Sequence, residues 1–199
     1  MIALVDTMPI DEPAARAALY RDSSLREKLI EHVFVGEFLR LLWQCGVRDV
    51  EVLRAEVDRG GYDLVLECNR LLRHVQFKSS HSGAKTSEVA ISLNLAAKPS
   101  GCVIWVLFNP ETLQLGPFLW FGAAPGLPLP PLGDHVARHS KADATGHKAE
   151  KPNLRVVKRG RFVPLATMEE VIAALFGQPE SWPEVQPSMQ AQRDPQPLG

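Results

Sequence analysis

The chain has few cysteines, and they form no recognisable site. Cys45, Cys68 and Cys102 are the three among 199 residues, and each stands in an apolar stretch far from the others. Structural zinc sites and disulfide frameworks need closely spaced or evenly paired cysteines, so neither organises this chain. We expect three buried thiols in a reducing compartment.

Long apolar runs and a strong net charge are also missing. No run approaches the about 20 residues that cross a membrane. The first residues, Met1–Asp6, lack the basic region of a secretory signal. A net charge of −1 does not by itself indicate a polyanionic partner. We therefore expect a cytoplasmic protein that does not bind a membrane.

What is present fits one domain with two appendages. Apolar residues make up 45% of the chain, enough for a self-sufficient core. Residues 1–22 are predicted to be an N-terminal extension with a short helix over Asp11–Arg21. Residues 178–199 are rich in Pro and Gln and are predicted to be disordered. The domain then covers 23–177, with a core at 23–121 and a Pro-rich, basic loop and a last helix at 122–177.

The spacing of apolar residues predicts an α/β fold. A long helix follows the caps Asp22 and Ser23 and ends near Cys45, before Gly46. Its predicted apolar face consists of Leu25, Leu29, Ile30, Val33, Phe34, Leu41 and Leu42. Strands are predicted at Val50–Asp58, Tyr62–Cys68, Leu71–Ser79, Gly101–Phe108 and Leu113–Phe121, with a strand and a helical turn at Val89–Lys98 and a capped helix at Thr167–Phe176.

One predicted hairpin carries chemistry. If Asn69-Arg70 is a two-residue turn, Cys68 lies opposite Leu71 and Asp63 lies opposite Gln76. Lys78, two residues further, points to the same face. The hairpin then places a carboxylate, an amide oxygen and an ammonium group side by side. A one-residue slip would move them apart.

Glu37 in the first helix supplies a second carboxylate. It lies four residues after Val33 and four before Leu41, on the stripe expected to face the sheet. A carboxylate there is costly unless it is paired or bound to a metal. The alternative is a Glu at the edge of the buried face with its head in water.

These residues resemble the motif of the PD-(D/E)XK nuclease superfamily. The resemblance covers about Ser23 to Phe121: Asp63 matches the motif's Asp, Gln76-Phe77-Lys78 matches its (D/E)XK element, and Glu37 matches its first-helix acid. Tyr62 replaces the Pro and Gln76 replaces an acid. The resemblance implies a restriction endonuclease-like α-β-β-β-α-β core with a mixed sheet flanked by helices.

The same resemblance implies a metal-dependent nuclease that hydrolyses phosphodiester bonds, with DNA as the expected substrate. Asp63, Gln76 and Glu37 would hold Mg²⁺ or Mn²⁺, and Lys78 would orient water or stabilise charge on the phosphate. Because an amide binds a divalent cation less strongly than a carboxylate, the alternative is an inactive module of this fold that binds nucleic acid or a protein partner. The sequence also leaves open whether the chain forms a homodimer.

A basic block follows the Pro-rich stretch. From His135 to Arg161 there are eight Lys and Arg against two acids. The bland interpretation is a solvated loop; the functional one is contact with a nucleic-acid backbone. His135 and His139, four residues apart, are a weaker indication of zinc. The residues predicted to contact nucleic acid are Lys85, Lys141, Lys148, Lys151 and Arg155.

Overall fold

The computed structural model describes residues 23–57, 59–139, 146 and 148–178. The predicted N-terminal extension with its helix over Asp11–Arg21, and the predicted disordered tail after Gln178, lie outside these residues. The helices are α1 (Ser23–Gln44), α2 (Leu93–Ala96) and α3 (Met168–Phe176). The strands are β1 (Val50–Arg54), β2 (Leu64–Cys68), β3 (Leu71–His81), β4 (Glu88–Ser92), β5 (Gly101–Phe108), β6 (Leu115–Gly122), β7 (Val136–Arg138), β8 (Glu150–Lys158) and β9 (Val163–Leu165).

Helix α1 forms where the apolar spacing predicts it, but it is rotated relative to the predicted face. The chain leaves the helix at Gly46, whose φ of +81° is a conformation that favours glycine. Ile30, Phe34, Phe38 and Leu42 are buried, whereas Leu25 and Leu29 are exposed. The prediction that Leu25 and Leu29 face the sheet is therefore wrong.

The central sheet has six strands in the order β1-β2-β3-β5-β6-β9. Strands β3 and β5 run parallel, and the other neighbours are antiparallel. This confirms the predicted α/β fold with a mixed sheet flanked by helices. Strand β1 ends at Arg54, earlier than predicted, and β6 runs through Gly116-Pro117 from Leu115 to Gly122.

A second sheet of three strands has the order β4-β8-β7. It overturns the prediction that the basic segment is a loop, because β7 and β8 both lie in it. Cations on both sides of Val156 and Val157 obscure the apolar signal in the sequence. The predicted strand and helical turn at Val89–Lys98 are confirmed as β4 and α2.

The central sheet separates two cores. On one side, α1 and α3 cover alternate residues of β2, β3, β5 and β6, including Val75 and Trp120. On the other side, the three-stranded sheet and α2 cover the intervening residues, including Val103 and Trp105. Trp105 and Trp120 are therefore core residues, one on each side of the sheet. We call the two sides the helical side and the small-sheet side.

Helix α3 has the predicted cap Thr167 at its start, and Glu170 bonds back to the residue before the cap rather than to the cap itself. The Thr167 hydroxyl accepts from the backbone N–H of Glu170, and the Glu170 carboxylate accepts from that of Ala166. At the end, the N–H of Gly177 donates to the carbonyl of Ala173. No helix within the described part of the chain is long and apolar enough to cross a membrane.

Candidate functional site

The hairpin that the sequence predicts is present with the predicted register. Cys68 pairs with Leu71, and regular pairing continues to Leu64 and Val75. Asn69 and Arg70 both have positive φ, +48° and +65°, which matches the two-residue turn that suits the twist of a hairpin. Local sequence therefore fixes which side chains of β2 and β3 share a face.

Asp63 lies at the open end of this hairpin and contacts β3 on both sides of Gln76. Its backbone N–H donates to the carbonyl of Val75 at 2.9 Å. Its carboxylate Oδ2 accepts from the N–H of Phe77 at 2.6 Å. A carboxylate that accepts a backbone N–H in this way forms a charge-assisted hydrogen bond that fixes its orientation. Asp63 is thus held beside Gln76, as the register predicts.

Gln76 presents an unexplained oxygen at this place. Its side chain is 94% buried, since only 6% of its surface is exposed. Its Oε1 is buried, and no hydrogen-bond donor reaches it from the described residues. Buried carbonyl oxygens almost always have a partner. An oxygen of this kind beside a carboxylate suits a ligand that brings positive charge, such as a cation.

Lys78 shares the face of Gln76. In the parallel ladder, Gln76 pairs with Val103 and Lys78 pairs with Trp105. Val103 and Trp105 belong to the core on the small-sheet side, so Gln76 and Lys78 also point to that side. Lys78 is half-buried.

Two contacts fix the backbone at the site, one to helix α1 on the helical side of the sheet and one between the loop before Asp63 and Ser92. Phe77 points to the helical side, where its ring packs edge-on against Phe34 of α1 at 4.7 Å between centroids. The loop before Asp63 passes so close to Ser92 that a Cβ on Gly61 would lie 2.5 Å from the Ser92 Cβ. Gly61 also has a φ of +70°. Only glycine suits this approach, which anchors the loop that carries Asp63.

Glu37 is on the other side of the sheet. It belongs to α1, which packs on the helical side, whereas Gln76 and Lys78 face the small sheet. Glu37 is half-buried; burial raises the pKa of its carboxyl above the ordinary value, and nearby Arg40 opposes that shift. The structure thus brings Asp63, Gln76 and Lys78 to adjoining strands and leaves Glu37 in a separate layer. Its predicted role in metal binding stays a prediction.

Glu31 is a buried acid of α1 that the sequence analysis does not single out. It is buried, with 7% of its surface exposed, and its Oε1 accepts from Arg54 Nε at 2.7 Å. Lys28 lies 3.3 Å from its other oxygen. Arg54 pairs with Leu64, the residue after Asp63, so this ion pair lies at the same end of the sheet as the site. The signal was available, because Glu31 precedes Phe34 by three residues and Phe38 by seven.

Known proteins add little to this geometry. No family model and no curated protein matches the chain. Among solved structures, the chain is similar to a bacterial homing endonuclease, I-Ssp6803I, with 20% identity and a TM-score of 0.30. The match covers 63% of this chain and 85% of that chain. A TM-score this low says nothing about the reaction, so function rests on the side chains.

The predicted nucleic-acid contacts are only partly available. Lys85 is exposed in the loop between β3 and β4, and Lys148 lines an open groove on the three-stranded sheet with Arg138 and His139. Lys151 is half-buried. Arg155 is half-buried too, and its guanidinium donates to the carbonyl of Pro152 at 2.7 Å. Lys141 lies outside the described residues.

Thiol and zinc chemistry find no support. Burial raises the pKa of Cys68 to about 11 and that of Cys102 to about 12, so both stay protonated thiols at neutral pH. Cys45 is exposed, which corrects the expectation that all three are buried. Over residues 23–57, 59–139, 146 and 148–178, no three His, Cys, Asp or Glu side chains form a group that could hold a metal ion.

We expect Glu37→Gln to raise the thermal midpoint at pH 7. Because burial raises the pKa of Glu37 in the folded state, the folded protein binds that proton more tightly than the unfolded chain. At pH values above the unfolded-state pKa of about 4.3, ionisation of Glu37 therefore destabilises the folded protein. The gain should vanish below that pH. Midpoints at pH 3.5 and pH 7 test it, with the exposed Glu27→Gln as control.

The wild-type protein and Glu37→Gln also test whether Glu37 binds the metal. If Glu37 is a ligand, Mn²⁺ raises the midpoint of the wild-type protein more than that of Glu37→Gln. Equal shifts would assign Mn²⁺ binding to the hairpin alone. An unchanged midpoint in the variant at pH 7 would contradict the pH prediction itself.

Proposed function

We propose that this protein is a metal-dependent nuclease that hydrolyses phosphodiester bonds of nucleic acid, with DNA as the expected substrate. One observation carries the proposal: Asp63 is fixed on both sides of Gln76, whose buried oxygen lacks a donor within the described residues. Lys78 points to the same face. The match of Asp63 and Gln76-Phe77-Lys78 to the PD-(D/E)XK motif supports the same function.

The residues at the site fit Mg²⁺ or Mn²⁺. Both ions prefer oxygen ligands, and Mg²⁺ is usually bound through one or two carboxylates, with water and substrate phosphate completing its shell. Asp63 would supply the carboxylate and Gln76 the second oxygen, which would explain why Oε1 is buried without a donor. So small a set of protein ligands favours one ion over two.

Each side chain then has a separate task. A bound cation would supply Lewis-acid chemistry, neutralising a phosphodiester and making water more acidic. Asp63 supplies a negative charge in a fixed position beside Gln76, because the Phe77 N–H holds its carboxylate in one orientation. Gln76 adds a neutral oxygen and so limits repulsion beside Asp63. Lys78 places an ammonium group where negative charge grows on the phosphate oxygens or where an attacking water must be oriented.

The substrate would be held by its backbone. Lys85, in the loop before β4, and Lys148, beside the groove on the three-stranded sheet, are exposed and suit sequence-independent phosphate contacts. Lys151 would add a further phosphate contact. Arg155 would add another if its hydrogen bond to the Pro152 carbonyl opens. Phosphate contacts of this kind make affinity fall steeply with salt.

We expect cleavage of nucleic acid that requires Mn²⁺ or Mg²⁺. The full chain is incubated with supercoiled DNA, linear duplex, single-stranded DNA and RNA in Mn²⁺. Product should appear with at least one substrate, stop with EDTA and return with excess metal. Calorimetry with Mn²⁺ alone measures binding without turnover. Absence of both cleavage and Mn²⁺ binding would overturn the proposal.

A second function follows from Gln76 itself. An amide at this position weakens cation binding, which favours a module that binds nucleic acid without cutting it. Such a protein would retain salt-dependent affinity for DNA in EDTA and release no product in Mn²⁺. That pair of results would select the binding module.

A further inference from the structure

The basic segment from His135 to Arg161 contains four arginines, and three of them are used within the chain. Each of the three holds nearby oxygens: Arg138 the carboxylate of Glu150, Arg155 the carbonyl of Pro152, and Arg161 the carbonyls of Pro131 and Leu132. The fourth, Arg159, is exposed, and within the described residues its guanidinium contacts the ring of Trp105 and no oxygen. Its five N–H donors are therefore available to a ligand.

The backbone at Arg159 is fixed, although its side chain is exposed. Arg159 begins a single 3-10 turn that ends at Arg161. Its N–H donates to the carbonyl of Ser87 at 2.7 Å, and its carbonyl accepts from the N–H of Phe162 at 3.0 Å. Phe162 is buried and packs edge-on against Trp105 at 5.5 Å between centroids. The guanidinium thus extends from a rigid base.

Arg159 lies on the same side of the central sheet as the candidate site. Its Cζ is 5.9 Å from the centre of the Trp105 ring, within the about 6 Å at which an aromatic face attracts a cation. The indole N–H of Trp105 donates to the Ser80 hydroxyl of β3 at 3.0 Å. Trp105 also pairs with Lys78, which shares a face with Ser80. One indole ring therefore lies between Arg159 and the β3 face that carries Lys78.

We propose that Arg159 binds a backbone phosphate of the nucleic acid, next to the phosphate that Lys78 meets. This rests on the proposed function, because it takes nucleic acid as the ligand. Arginine suits the task, since its planar fork donates two parallel hydrogen bonds to a phosphate and its flat face stacks on an aromatic ring. A ligand with one phosphate would leave one of these two cations unused. The ligand class is therefore a polynucleotide rather than a mononucleotide.

DNA binding in EDTA tests the role of Arg159 without turnover. Fluorescence anisotropy of labelled DNA, as a duplex and as a single strand, is measured over a range of salt concentrations. Arg159→Gln should weaken binding about tenfold, as expected for one lost hydrogen-bonded contact to a charged group. The slope of log affinity against log salt should fall by about 0.9 on the duplex or about 0.7 on the single strand, the value of one phosphate contact.

Two further variants serve as controls. Arg40→Gln removes the same charge from an exposed position on α1, on the helical side of the sheet, and should keep the wild-type slope. Arg159→Lys keeps the charge and should restore that slope. Equal slopes for Arg159→Gln and Arg40→Gln would overturn the assignment. A reduced slope that Arg159→Lys does not restore would also overturn it, because the effect would then come from the fold of the turn.

The outcome for Arg159 is separate from the outcome for the nuclease. A wild-type chain that binds neither form of DNA in EDTA would overturn the role of Arg159. A chain that binds DNA through Arg159 but neither cleaves nucleic acid nor binds Mn²⁺ would refute the nuclease and still support the phosphate contact.

Discussion

Asp63→Asn should reduce cleavage by about 10²–10³-fold, the range found when one preorganised charged or polar group is removed from an active site. The carboxylate of Asp63 is bonded to the Gln76–Lys78 segment through the N–H of Phe77. Asn keeps an oxygen that accepts the Phe77 N–H, so the hairpin should hold. What is lost is the negative charge beside the Gln76 oxygen.

Replacing Asp63 by Asn tests the charge alone, whereas replacing it by Ala does not. Ala would also leave the Phe77 N–H without its acceptor, which costs about 1–3 kcal/mol if that group stays buried. A loss of activity in Asp63→Ala would then mix a damaged hairpin with a missing ligand. Thermal melting of the Asn variant should stay close to that of the wild-type protein.

Glu67→Gln is the matched control. Glu67 lies on β2 and points to the same face as Asp63, four residues earlier, which is about 13 Å along an extended chain. It is half-buried, and it pairs with Leu72 at the closed end of the hairpin. The cleavage activity of Glu67→Gln should stay within about twofold of wild type, because the substitution touches no catalytic group. Equal activity of Asp63→Asn and Glu67→Gln would contradict the assigned site.

The hairpin could be predicted because everything that fixes it is local. Alternating side chains identify β2 and β3, and the Asn69-Arg70 turn fixes their register without help from the rest of the chain. Once the turn is placed, the neighbourhood of Asp63 and Gln76 follows by counting. The missing hydrogen-bond partner of Gln76 Oε1 does not follow, because it depends on how the second sheet covers β3.

The orientation of α1 could not be predicted in the same way. Leu25 and Leu29 on one side and Ile30 and Phe34 on the other are all apolar, so the helix has two candidate buried faces. Only packing against the sheet, where Phe34 meets Phe77 and Phe118, selects one of them. That choice buries Glu31 and directs Glu37 away from the hairpin face.

Arg73→Ala should cost about 3–5 kcal/mol of folding free energy, because it leaves a cavity in the core and takes the donor away from buried carbonyls, at about 1–3 kcal/mol for each one left unsatisfied. Arg73 lies on β3 with none of its surface exposed. Its Nη2 donates to the carbonyls of Ala123 at 2.7 Å and Ala174 at 2.9 Å, and its Nε donates to that of Leu175. The last two are carbonyls at the C-terminus of α3.

This side chain joins the last helix to the centre of the sheet. The final carbonyls of a helix have no partner within it and carry partial negative charge, so a cation there is stabilising. Burial lowers the pKa of Arg73, but the guanidinium stays charged at any physiological pH. Removing it would take a donor away from three carbonyls and leave a cavity beside Trp120, whose ring lies 5.3 Å from the guanidinium.

Urea unfolding measures the loss, with Arg138→Ala as the matched control. Arg138 and its partner Glu150 are both exposed, 3.5 Å apart, and such surface pairs contribute about 0–1 kcal/mol. If Arg73→Ala does not fold, Arg73→Met fills the space and isolates the lost hydrogen bonds. Hydrogen exchange should then show α3 opening before the hairpin does. A midpoint for Arg73→Met equal to that of Arg138→Ala would show that the sheet holds α3 through apolar contacts alone.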